Sequence, residues 1–146
     1  MAVGPWVFYN SFKERSMDGA IDLDTDTFQI TLHTSASNAA TATLSSYGSL
    51  TGEVTEANGY SSSGQALAGV TWAAGASAAE RRFDATANIW TASGGAIANV
   101  KFAVISSRTG GELVCVSTLS TSQFSISDGN TLTITPSANG IFELNG

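Results

Sequence analysis

The pattern of this 146-residue chain predicts a mainly β protein, an antiparallel β-sandwich or flattened barrel with a short N-terminal helix. Three observations carry that expectation. Short apolar runs with period-two alternation recur along the chain, as where Thr131, Thr133 and Thr135 alternate with Leu132 and Ile134. Asn58-Gly59, Asp128-Gly129-Asn130 and Asn139-Gly140 are tight-turn signals between such runs. Helical spacing appears near the N-terminus, where Phe8 and Phe12 are four residues apart.

Taken in order, residues 6–17 form a short amphipathic helix of two or three turns that stops at Gly19 and docks an aromatic edge on the sheet. From Thr27, Phe28, Ile30 and Leu32 alternate with Gln29, Thr31 and His33, which predicts a half-buried strand. Residues 34–51, rich in Ser, Ala and Thr without periodicity, are expected to be a loop with at most one helical turn, and the best candidate for contacting a partner. Leu67, Val70 and Trp72 suggest a strand near 66–72, followed by a small-residue connection over 73–79. Further strands are expected at 80–85, 88–92, 98–107, 111–119, 121–126, 130–135 and 140–144. In the run from Val100 to Ile105, and again from Glu112 to Val116 after the turn Arg108-Thr109-Gly110-Gly111, both faces are apolar, as in central strands covered on each side. There is no internal repeat or linker, so the expectation is a single domain over 1–146, with a helical or extended segment 1–26 leading into a β core 27–146.

Composition narrows the function classes. Only 12% of residues are charged, about half the usual share. A surface of small neutral side chains loses little rotamer entropy when covered, which suits a subunit whose faces become interfaces. The net charge of −6 and the scatter of Lys13, Arg15, Arg81, Arg82, Lys101 and Arg108 argue against direct nucleic-acid binding, which needs clustered bases. Arg81-Arg82 reads as a solvated or salt-bridged strand end. The lone Cys115 rules out an intramolecular disulfide and sits in the apolar run Leu113–Val116, where cysteine acts as a small buried hydrophobe. Residues 1–12 lack the pattern of a secretory signal, and no apolar run is long enough to span a bilayer, so neither export nor a membrane partner is expected.

Candidate chemistry is sparse. Asp22, Asp24 and Asp26 are spaced two apart, which in an extended segment puts three carboxylates on one side and makes them a weak candidate for Ca²⁺. Counted from Asp22, however, Thr27 stands where a helix-loop-helix calcium loop has Gly, and His33 where it has Glu. The competing reading is an acidic, solvated lead-in to the strand. His33, the lone histidine, is expected to be exposed or hydrogen-bonded on the strand face opposite Phe28, Ile30 and Leu32. No GxSxG, P-loop or HExxH pattern is present, and neither a catalytic site nor a cofactor is expected. Trp6, Phe8, Tyr9, Trp72 and Trp90 are read as core or interface, with a sugar-binding platform as the alternative.

Tyr9–Glu14 followed by Met17-Asp18-Gly19 and Ile21–Phe28, the Trp90–Gly95 element before the Lys101–Ile105 strand, and Asp128–Ile134 near the C-terminus together resemble small virion structural proteins of tailed bacteriophages. The order of these elements covers most of the chain; residues 35–48 match least. The resemblance implies a capsid decoration or cement protein on the virion exterior, made in the host cytoplasm, with the major capsid protein as partner, self-association as a possible trimer, and no catalytic residues. A phage tail or fibre component, or a glycan- or receptor-binding module, are the alternatives, with an enzyme built on the Asp cluster and His33 ranked last.

Overall fold

The computed structural model describes residues 4–145; the first three residues of the expected N-terminal segment lie outside it. The strands are β1 (Trp6–Phe8), β2 (Phe28–His33), β3 (Gln65–Ala66), β4 (Thr71–Ala74), β5 (Arg81–Asp84), β6 (Asn88–Thr91), β7 (Ile97–Val100), β8 (Phe102–Ser107), β9 (Leu113–Thr118), β10 (Phe124–Ile126), β11 (Thr131–Ile134) and β12 (Phe142–Leu144), with one α-helix, α1 (Asn10–Met17), between β1 and β2. All strand pairs are antiparallel, and the sheets are open, so the fold is mainly β and sandwich-like, not a closed barrel.

A five-stranded sheet ordered β1-β9-β8-β2-β3 forms the middle of the molecule. Its first face packs against two separate two-stranded ribbons, β6–β11 and β7–β10, and the sheet β12-β5-β4, through Phe28, Ile30, Leu32, Ala103 and Ile105 on one side and Phe83, Trp90, Ile97, Leu132 and Ile134 on the other. The second face carries Phe102, Val104, Leu113 and Val116 and is covered by Tyr9, Ala39, Leu44, Tyr47 and Leu50. Each large apolar side chain so covered contributes about 1.5–3 kcal/mol relative to exposure. A bulge opposite Ile105 and Ser106 keeps this two-sided pattern. It sends the consecutive Val114 and Cys115 to the first face while Leu113 and Val116 serve the second.

The second cover changes the status of β2. Expected to be half-buried, it has all six residues buried, because residues 34–51 fold back over the face bearing Gln29, Thr31 and His33. Alternation of polar and apolar residues reported which face was greasy, and not whether water reached the other.

Other departures have local causes. The helix expected over 6–17 begins only at Asn10, since Trp6, Val7 and Phe8 pair with Ser117, Val116 and Cys115. Phe8 still stacks on Phe12, with ring centroids 5.0 Å apart, and α1 ends as predicted, with Gly19 in the left-handed region at φ +82°. The strand expected over 98–107 is two strands in different sheets. Asn99 takes φ +63°, and the Lys101 backbone joins them by donating to the His33 carbonyl and accepting from the Leu119 N–H, both at 2.8 Å. The strand expected near 66–72 also divides, into β3 and β4, around Gly69 at φ +59°.

At Gly64 the loop after Tyr60 passes so close to β2 that a Cβ would lie 2.0 Å from the Ile30 carbonyl oxygen, with the backbone already at φ +62°. Gly64→Ala should therefore cost about 2 kcal/mol or more. Gly48→Ala, where a Cβ meets nothing within 4 Å, should change stability by no more than about 0.5 kcal/mol. Urea denaturation of the two variants checks the contrast; equal effects would contradict the close approach.

Candidate functional site

The polar residues that converge most closely lie where β2 outruns β3. The short strand β3 pairs with Gln29 and Ile30 only, which leaves the edge of β2 from Thr31 to His33 without a neighbouring strand on that side. Residues 53–60 complete it. The Val54 N–H donates to the Leu32 carbonyl at 2.9 Å, and the Leu32 N–H donates to the Tyr60 hydroxyl oxygen at 3.0 Å. Tyr60, 2% exposed, thus supplies from a side chain the acceptor that a strand would have offered.

Glu53 is the hub of this arrangement. Its carboxylate accepts hydrogen bonds from the Tyr60 hydroxyl at 2.7 Å, the Tyr47 hydroxyl, and the Ser63 N–H at 2.8 Å. Ser63 is a non-glycine residue at φ +68°, a backbone conformation that costs on the order of 1 kcal/mol or more and is held here by its bond to Glu53. Burial, followed by the bond to Glu53, pushes both tyrosine hydroxyls above their ordinary acidity range. Both tyrosines therefore remain neutral donors to Glu53.

His33 lies on the adjoining side of the same strand end and is fully buried. Its Nε2 is 2.9 Å from the Thr31 hydroxyl, and its Nδ1 is 3.4 Å from both the Thr51 carbonyl and the Ser37 hydroxyl. A carbonyl can only accept, so a proton on Nδ1 would serve Thr51 and leave Nε2 to accept from Thr31, whose hydroxyl also reaches the Val104 carbonyl at 3.5 Å. Burial lowers the His33 pKa, opposed by the Thr51 carbonyl and the Glu53 charge. Of the two expected environments, exposed or hydrogen-bonded, the structure has the second. His33 thereby ties β2 to both ends of the covering segment.

That segment is itself ordered by many small bonds. The Tyr9 hydroxyl donates to the Ala39 carbonyl at 2.6 Å, Asn38 exchanges bonds with Thr51 and Ser49, and the Tyr47 N–H donates to the Gly111 carbonyl at 2.8 Å. The 3₁₀ turn Tyr47–Ser49 is its one helical turn.

The acidic stretch has a different geometry from the extended one expected. Asp26 N–H donates to the Asp22 carbonyl at 3.0 Å, and one Asp22 carboxylate oxygen accepts from the N–H groups of Asp24 and Thr25. Asp26 returns a carboxylate oxygen to the Asp22 N–H. These bonds close a turn, and the backbone N–H of Asp24 is the first cause of a lowered Asp22 pKa. Among the described residues, no three His, Cys, Asp or Glu side chains converge as a metal ion would require.

The remaining candidates are placed as follows. Cys115 is fully buried, and burial raises its thiol pKa. Arg82 pairs with Glu143 at 3.2 Å, while Arg81 is exposed at the same strand end. Tyr9 and Trp90 are buried, and Trp6, Phe8 and Trp72 are partly so. Among the described residues, no helix is long and apolar enough to cross a membrane. Glu53, Tyr47 and Tyr60 had no place among the residues singled out by sequence, since nothing in their spacing sets them apart from Glu56 in the same stretch. No family model, curated protein or solved structure matches this chain.

Two outcomes follow from this geometry. Tyr60→Phe removes the acceptor of a buried backbone N–H and one donor to Glu53, and should cost about 1–3 kcal/mol in denaturant unfolding. For His33, whose folded pKa is below its unfolded value, stability is fully present above about pH 6.5 and falls as pH drops below it, with a slope of at most about 1.4 kcal/mol per pH unit. Unfolding measured between about pH 7 and pH 5 should show that loss. A flat profile would contradict a buried neutral imidazole.

Proposed function

We propose that this protein is a structural component of a tailed-bacteriophage virion, of the decoration or cement kind, which binds the outer surface of the shell and stabilises it against the pressure of packaged DNA. The observation that carries this reading is a β body sealed on both faces by its own chain, with the large covering segment 34–51 bonded down at Ala39 by Tyr9, at Tyr47 by Gly111 and at Thr51 by His33. A subunit that stiffens a shell acts by contact, so it benefits from a frame that does not open when loaded. Its exterior of small, weakly charged side chains suits repeated interfaces, where about 1,000 Å² or more per contact is multiplied over many copies. The acidic net charge favours the outside of a shell over the inside, where DNA would repel it.

The major capsid protein is the proposed partner, and self-association as a trimer on a threefold axis is the proposed assembly. On this reading the chain performs no catalysis and needs no cofactor. Quantitative mass spectrometry of purified particles tests it. About one copy per capsid subunit is the expected result. A few copies per particle would relocate the protein to a tail or vertex, and absence from particles would overturn the reading.

A further inference from the structure

Strand β4 (Thr71–Ala74) ends the sheet β12-β5-β4 and has a neighbouring strand on one side only. Its register with β5 sets Trp72 opposite Phe83 and Ala73 opposite Arg82. The Gly75 N–H donates to the Glu80 carbonyl, and the Phe83 carbonyl turns the other way, accepting from the Ile141 N–H. Polar groups alternate in direction along an antiparallel strand, so Thr71 and Ala73 turn theirs toward β5, and Trp72 and Ala74 turn theirs away from it. Among the described residues, nothing bonds to the N–H or carbonyl groups of Trp72 and Ala74 on that free side. Thr71, Ala73 and Ala74 are exposed. The charges and prolines that commonly guard a sheet edge are missing, since residues 57–79 contain no Asp, Glu, Lys, Arg or Pro. Elsewhere, by contrast, Pro5 precedes β1, and residues 53–60 continue the line of the two-residue β3.

We propose that β4 is a self-association edge, where two copies of this chain pair antiparallel about a two-fold axis through Ala73. An unpaired ladder is satisfied by another extended backbone, and β4 itself is one. The axis sets Trp72 of each copy against Ala74 of the other, so the groups that β5 leaves unused meet their complements and the sheet runs on into its counterpart. Two small Ala73 side chains face each other at the axis. Beside them Arg82, opposite Ala73 on β5, is paired with Glu143 at 3.2 Å and adds no uncompensated charge. Charge also favours this approach over others. Copies of net charge −6 repel one another, and the uncharged stretch 57–79 is a face on which that repulsion is reduced. The contact joins two copies through an edge and is independent of the threefold association proposed above.

Sedimentation velocity of the full chain over a dilution series, with amide hydrogen exchange followed across the same series, tests the pairing. A monomer–dimer equilibrium is expected. The Trp72 and Ala74 amides should gain protection as the dimer forms, whereas the Ala73 amide, directed at β5, should not. Ala74→Pro removes an outward N–H from each copy and leaves the ladder to β5 intact. It should weaken dimerisation at least about tenfold, equivalent to about 1.4 kcal/mol. Ala73→Lys, at an exposed position, places like charges opposite each other at the axis and should have the same effect. Both variants should keep the circular dichroism spectrum of the parent. A monomer at every concentration, an oligomer whose Trp72 and Ala74 amides stay unprotected, or a dimer that both folded variants retain would each overturn the proposal.

Discussion

Burial of both faces of β2 is the constraint from which most of this architecture follows. Apolar residues on both sides of β8 and β9 require the strand between β8 and the sheet edge to be covered twice, although β2 has a polar side. Gln29, Thr31 and His33 are thereby removed from water and need partners. Gln29 finds Ser106 at 3.2 Å and Arg108 at 3.1 Å, and Thr31 and His33 find each other. The covering segment then serves two purposes, excluding water from Val104 and Leu113 and supplying polar atoms to His33.

Glu53 joins this cover to the sheet edge. One carboxylate orients two tyrosines and the Ser63 backbone, and one of those tyrosines terminates the β2 ladder at Leu32. Pairing with β3 covers only two residues of β2, and beyond them the backbone of Glu53 and Val54 and the Tyr60 hydroxyl complete the edge. Such a device trades the regularity of a longer strand for a junction where segments 34–51 and 53–64 are locked to the same carboxylate. A body built this way resists local opening, which connects its packing to the proposed mechanical role.

The sequence was most legible where the physical signal was local. Alternation in β11 and in the front face of β2, the turns at Asn58-Gly59 and Asn139-Gly140, and the helix stop at Gly19 all depend on neighbouring residues, and the antiparallel mainly β class followed from them. The two-sided burial of β8 and β9 was also readable, because both faces were apolar. What failed was anything decided by distant chain. The start of α1 was overridden by pairing of Trp6–Phe8 with β9, and the single run 98–107 was divided because its halves join different sheets. One departure was local instead: Asp22 accepts from the N–H groups of Asp24 and Thr25 and closes a turn, where spacing alone suggested an extended segment. Tyr47, Glu53 and Tyr60 form a site through long-range convergence that no periodicity encodes.

Native-state amide hydrogen exchange tests the central claim most directly, by comparing the amides of Tyr47 and Leu50 in the covering segment with those of Ile30 and Val104 in the sheet. If the second cover is integral to the fold, all four should exchange with nearly the same opening free energy, close to that of global unfolding. Rapid exchange at Tyr47 and Leu50 while Ile30 and Val104 stay protected would show that the cover opens independently of the sheet, and would contradict the account.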